Sequence, residues 1–211
     1  MSSETTTSVA TGTDEGRRER KKRATRDELI AHAARLFDAN GFDETTTEQI
    51  AEAADVSQRT FFRHFPSKEA VLYADMDEQR RRVHDALLDR PADEPVLEAV
   101  RHAIMSLADH FQDDRELRFL QARMAAAYPT VSAYSRAVVQ AQWERELIAA
   151  IAVRLDVDPL HDPRPEIIAG AAMSALRAST RRWTSSDGSE DFPDLVSEAL
   201  DAMSWIGTLA A

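Results

Sequence analysis

Cysteine is absent from the 211 residues, which excludes disulfides, thiol catalysis and Cys-ligated zinc. Glycine and proline number only six and eight, so little interrupts the chain. No stretch alternates polar and apolar residues long enough to read as a sheet strand. No apolar run approaches the ~20 residues that span a bilayer. The N-terminus is polar and lacks the apolar core of a secretory signal, so the expected location is cytoplasmic, with no membrane partner. Catalytic signatures are missing as well. The six histidines (His32, His64, His84, His102, His110 and His161) include no His-Glu-x-x-His pair. No serine elbow or phosphate loop occurs. Asp109-His110 and His161-Asp162 are adjacent in sequence, which sets their side chains apart on a helix. The expectation is a protein that is not an enzyme and has no cofactor and no metal.

Lysine occurs three times, at Lys21, Lys22 and Lys68. Net charge is −11, yet the distribution matters more than the sum. Between Arg17 and Arg26 seven cations face one acid, and Ser57 to Lys68 holds three cations and no acid. From Met76 onward 15 Arg face 23 Asp and Glu, a net −8. Positive charge is concentrated in the first third, and an acidic remainder limits non-specific adhesion to nucleic acid.

What is present is helix-forming. With 43% hydrophobic residues the chain can fill a core. Ala and Leu are abundant and favour helix. Thr45 to Phe65 reads as a short helix, a tight turn and a second short helix. Thr46 caps the first, and Gln49 reaches back in a capping box. Asp55 sits at the turn, where a short polar residue tolerates the left-handed region. Val56 plugs it, and Ser57 caps the second helix. Such spacing fits a surface αα-hairpin as well as a helix-turn-helix that reads DNA.

Around this motif the chain divides into an arm over 1–24, disordered and then basic, a unit over 25–72 and a larger unit over 73–211. The basic run is either a solvated charge run or an arm that lies on DNA. A first helix is expected over Arg26–Asn40, opened by Thr25-x-x-Glu28, carrying Leu29, Ile30, Ala33, Leu36 and Phe37, and closed by Gly41. Phe61, Phe62 and Phe65 read as core. A helix from Lys68 to before Pro91 follows, and then helices over about 95–111, 114–127, 129–155, 166–183 and 193–209. The sum is an all-α chain of about nine helices: a three-helix helix-turn-helix domain followed by a helical bundle. The 166–183 helix is rich in small residues (Ala169, Gly170, Ala171, Ala172, Ala175). The last carries Leu195, Val196, Ala199, Leu200, Met203 and Ile206 on one face.

The run Leu36-Phe37…Asn40-Gly41-Phe42, Thr45-Thr46-Thr47, Ile50-Ala51…Ala54-Asp55-Val56-Ser57, Thr60-Phe61-Phe62-Arg63-His64-Phe65-Pro66-Ser67-Lys68-Glu69…Leu72 resembles the N-terminal domain of TetR-type transcriptional regulators. The likeness covers Arg26 to Tyr73. The segment Glu116–Trp183 resembles, more loosely, regulators with an acyl-CoA-like ligand-binding domain. Two positions depart from the family pattern. Asp55 stands where glycine is usual. Phe62 stands where tyrosine is usual, so the family's hydroxyl contact to phosphate is not carried over there.

The resemblance implies a homodimer on a pseudo-palindromic operator, and a repressor that leaves double-stranded DNA when a small effector binds the second domain. The alternative is an architectural or activating DNA-binding protein. Physical chemistry suggests the roles. Thr46, Thr47 and Ser57 lie at helix N-termini that attract phosphate. Gln58, Arg59 and Thr60 face base edges. Arg63 reaches a base or the backbone, and His64 and Lys68 grip phosphate. The expected effector wall is His102, Met105, Phe119, Leu120, Arg123, Met124, Trp143 and Leu176, with Met173 and Arg177 behind. An Arg on an apolar face calls for an anionic partner, either a protein acid or an anionic amphipathic ligand such as an acyl-CoA. The helices over 166–183 and 193–209 are the expected dimer interface.

Overall fold

A computed structural model describes residues 11–208, with side chains over 16–202. The described residues are all helical apart from turns and loops, and the chain divides into two units, the first ending at Leu72 and the second starting at Tyr73. None of the described helices is long and apolar enough to cross a membrane.

The first unit holds α1 (Thr11–Asn40), α2 (Thr47–Ala53), α3 (Gln58–His64) and α4 (Lys68–Leu72). Leu29, Ala33 and Phe37 of α1 are buried, at spacings of four residues. Gly41, at φ 85°, ends α1 and lets Phe42 fold back onto Phe37 with ring centroids 5.0 Å apart. Ile50, Ala51, Phe61, Phe65, Val71 and Leu72 complete the core. Two expectations are corrected. Helix one does not begin at Arg26: it runs from Thr11, so the basic stretch is helical and Thr25 lies inside it rather than capping it. The Arg, Lys, Glu and Ala of this stretch are good helix formers, which outweighs the cap-like spelling of Thr25-x-x-Glu28. The first ten residues of the expected arm lie outside the described residues. Phe62 is not core but 50% exposed. Phe61 and Phe65 share one face of α3 at a spacing of four, and Phe62 points about 100° away from it, with its ring edge-on to Phe61 at 5.4 Å.

The second unit holds α5 (Met76–Leu88), α6 (Val96–Asp113), α7 (Arg115–Ala127), α8 (Pro129–Tyr134), α9 (Ala141–Leu155), α10 (Arg164–Ser185) and α11 (Phe192–Thr208). A π-helical segment, Ser135–Gln140, joins α8 to α9 and makes Pro129–Leu155 one long element. The helix expected from Lys68 to before Pro91 is broken at residues 73–75, which separate α4 from α5. Counting the long element once, the described residues form ten helices rather than about nine. Val83, Leu87, Ile104, Leu107, Trp143, Leu147, Ile151, Trp183 and Val196 centre the core. Ala169, Ala172 and Ala175 are buried on α10, and α10 packs against both α9 and α11. Small side chains allow that double approach. The expected face of α11 includes Met203 and Ile206, whose side chains lie outside the described residues.

Candidate functional site

The first unit presents α3 on a frame fixed by local chemistry. The capping box forms: Gln49 N donates to Thr46 Oγ1 at 3.1 Å, and Thr46 N donates to Gln49 Oε1 at 2.8 Å. Asp55 takes the left-handed conformation at φ 52°, so the turn forms without glycine. Ser57 caps α3 by accepting from Thr60 N at 3.1 Å, and its hydroxyl also meets that of Thr60 at 3.0 Å. Gln58 Nε2 donates to Thr47 Oγ1 at 3.0 Å, tying α3 to α2. Arg59 and Arg63 are exposed, and neither meets an acid among the described residues. Thr47 and Gln58 thus meet between α2 and α3, and Arg59 and Arg63 are exposed on α3 one turn apart.

Two residues of this unit differ in character from the rest. His64 is half-buried. Burial first, and then Arg63, Arg26 and Lys22, hold its pKa below 6.5. Its Nε2 is buried without a partner. Arg26 Nη1 reaches His64 O at 3.5 Å and its guanidinium lies 4.4 Å from the Phe65 ring centre, so α1 meets the end of α3 there. Arg26 is a linking residue that the sequence shows only as the end of a charge run and the expected start of helix one. Lys68 Nζ donates to Phe42 O at 2.7 Å, Thr45 O at 3.2 Å and Asp43 O at 3.5 Å, and lies 4.2 Å over the Phe42 ring. An ammonium has three donors. All are committed to the loop after α1, so Lys68 is a staple of the fold first.

The second unit encloses a cavity of about 840 Å³. Its apolar floor includes Met76, Leu107, Phe111, Val139, Trp143, Met173 and Leu176. Four arginines, Arg118, Arg136, Arg177 and Arg181, stand in its wall, and no Asp or Glu does. Arg136 bonds Ser132, Arg177 bonds Ser174 at 2.6 Å, and Arg181 meets no acid among the described residues. Arg118 differs. It is 5% exposed, lies 4.4 Å from the Phe111 ring centre, and pairs with Asp75. Arg118 Nη1 also donates to Gln121 Oε1 at 2.9 Å, and Gln121 Nε2 donates to Asp75 Oδ1 at 3.1 Å. Tyr73 lines the cavity and stacks on Tyr134 at 6.1 Å. Burial raises its phenol pKa above 10.0.

Of the residues expected on the effector wall, Trp143, Met173, Leu176 and Arg177 line this cavity. The other six lie elsewhere. His102 is exposed on α6 and meets Glu94 at 3.0 Å. Met105 packs partly buried on the core. Phe119 stands edge-on to Trp183 at 5.5 Å, and Arg123 lies 5.8 Å from the Phe119 ring centre. Leu120 and Met124 are buried on α7. The α7 face turned to the cavity carries Arg118, Gln121, Ala122 and Ala125 instead, about one residue round the helix. Apolar periodicity marks the face that fills space. Arg118 and Gln121 lie about one residue round from that face, and as polar residues they are not picked out by an apolar pattern. Among the described residues no cluster of three or more His, Asp or Glu is placed to hold a metal ion.

Residues 29–74 match the profile described as bacterial regulatory proteins, tetR family, and residues 94–205 match that of the MftR C-terminal domain. The HTH-type transcriptional regulator TcmR of Streptomyces glaucescens is 38% identical over 80% of this chain and 76% of its own. MftR of Mycobacterium tuberculosis, named for mycofactocin biosynthesis, is 26% identical over 80% of this chain and 84% of its own. The structure of Thermus thermophilus FadR, a TetR family transcriptional repressor in complex with lauroyl-CoA, aligns with a TM-score of 0.52. It is 25% identical and covers 83% of this chain and 91% of that one.

Proposed function

The chain belongs to the tetR family of bacterial regulatory proteins, and on that premise we propose that an anionic, amphipathic effector entering the second unit releases the first unit from its operator. The chain is a DNA-binding transcriptional regulator of that family.

The carrying observation is the wall of four arginines without an acid, inside a unit that is net acidic. Guanidinium groups over an apolar floor suit a carboxylate or phosphate joined to a hydrocarbon chain. A volume of about 840 Å³ accommodates a ligand of that size. That the Thermus FadR structure holds lauroyl-CoA, a ligand of this class, supports the reading. On the DNA side, Arg59 and Arg63 are free to reach guanine or phosphate, and Gln58 and Thr47 stand beside them. Two copies joined through α10 and α11 would present two such edges to a two-fold operator.

The test titrates the protein, bound to duplex selected by the protein itself from a randomised pool, with laurate, lauroyl-CoA and the neutral dodecanol. Laurate or lauroyl-CoA is expected to release the duplex and dodecanol is not. Arg177→Ala combined with Arg181→Ala should weaken anion binding by about tenfold, because removing a charge-assisted hydrogen bond is costly. Release by dodecanol with the same potency as laurate would refute the anionic class.

A further inference from the structure

We propose that Asp75 is a two-position switch, read by the effector through Arg118. In the ligand-free form its carboxylate is held by Arg118 and Gln121 of α7. When an anionic ligand takes Arg118, the freed carboxylate turns to cap the N-terminus of α5. This rests on the anionic-effector reading above and assigns the group through which that effector acts.

Asp75 occupies the N-cap position of α5, where aspartate is among the best residues because its side chain accepts from the first free amides. Yet it makes no side-chain cap bond, and its backbone is helical at φ −82° and ψ −17°. A capping residue takes extended backbone instead, as Thr46 and Ser57 do in this chain at ψ 157° and 153°. Both Asp75 oxygens are committed to α7, one to Arg118 and one to Gln121 at 3.1 Å. The vacant cap is not electrostatically hostile. The two acids of the first turn of α5 are already neutralised, Asp77 by Arg80 at 2.5 Å and Glu78 by Arg82 at 2.7 Å. Asp75 therefore has two satisfactory partners and can serve one at a time.

Arg118 is what chooses between them. Its side chain is 4% exposed, and its other acid, the half-exposed Asp114, lies farther off at 3.8 Å, so losing Asp75 without a replacement is unfavourable. Asp75 leaves at least cost when another anion takes its place, and Arg118 stands in the cavity wall where that anion would be delivered. A neutral ligand of the same shape fills the floor and leaves the pair intact. The consequence reaches the reading unit through the chain itself. Passing from helical to extended backbone at Asp75 redirects the main chain three residues after α4 ends at Leu72. A ligand shifts such an equilibrium only by binding one form better, and exchange at Arg118 supplies that difference.

The test uses the full chain and the self-selected duplex. Asp75→Ser removes the ion pair and keeps a cap, whereas Asp75→Ala removes both. Ligand-free Asp75→Ser should bind the duplex about tenfold more weakly than wild type, and Asp75→Ala by only a few-fold, since it gains no cap. Both should bind laurate more tightly, because the competing carboxylate is gone. In wild type, laurate should slow amide hydrogen exchange at Asp77, a readout that needs no variant; the Glu78 amide already donates to Asp75 O at 3.0 Å. If wild type ignores both laurate and lauroyl-CoA, the effector reading falls. If laurate releases wild type while Asp75→Ser behaves as Asp75→Ala does, or while exchange at Asp77 is unchanged, the switch is overturned and the effector reading stands.

Discussion

His64 is half-buried among cations, and its charge is expected to respond to any anion set beside it. Burial and the neighbouring cations Arg63, Arg26 and Lys22 hold its pKa below 6.5 in the free protein. Between that lowered value and 6.5 the unfolded chain binds more protons than the folded one, so stability rises with pH across the window. The free protein should lose melting temperature as pH falls through 6.5, and above it the residue has no further effect. A phosphate set beside the ring reverses the sign, because an adjacent anion favours the imidazolium. Operator affinity is then expected to rise as pH falls from about 7.5 to about 6, and His64→Ala to flatten that rise. Titrations of wild type that are flat with pH would take His64 out of the phosphate-contacting set. The residues around it show what sequence discloses at this scale. Thr46 with Gln49, and Ser57 with Thr60, are partners three apart, so the spelling itself gives the bond. The partners of Lys68 lie 23 to 26 residues back, and no local pattern shows that its donors are taken.

Helices were legible wherever their apolar faces repeat, and less so where they end or where a face borders empty space. The extension of α1 to Thr11 carries Arg17, Arg18, Arg20, Lys21, Lys22 and Arg23 on exposed helix rather than on an irregular arm. Nothing apolar marks it, so periodicity could not find it. The break at residues 73–75 has no proline or glycine to announce it, and Asp75 is instead engaged by residues on α7. A helical basic stretch beside the end of α3 predicts phosphate contacts flanking those of α3. Replacing its six cations by glutamine keeps helix propensity. The slope of log affinity against log salt should then shallow by ~2 or more, at ~0.9 for each phosphate no longer neutralised. Melting of the free protein should change little. An unchanged slope would mark the stretch as a solvated charge run.

At the scale of the molecule, a small reader whose positive charge is gathered on residues 17–26 and 57–68 is joined to a larger acidic body, and this division bears on how it finds DNA. Acidic surface repels random duplex, so affinity rests on the few cations of the first unit and on presenting two readers at once. One reader with a handful of phosphate contacts binds weakly at physiological salt. Two joined readers gain the effective concentration that linkage provides. A surface suited to joining lies on α10. Ile167, at 65% exposed, and the exposed Ser174 and Ala178 follow one another at spacings of seven and four along one side of it. Small side chains there permit a second helix to approach closely, as the buried alanines on the opposite side already do within the unit. Across a two-fold axis every residue meets the same patch of its partner, so one substitution is felt twice. Ala178→Glu adds bulk and like charge on both sides of such an interface while leaving the buried face of α10 untouched. Sedimentation at micromolar concentration should find wild type dimeric and Ala178→Glu monomeric. The monomer should keep its helical content and cavity, still bind laurate, and lose operator affinity by ~10²-fold or more. A variant that stays dimeric with full operator affinity would place the interface on another face of the second unit.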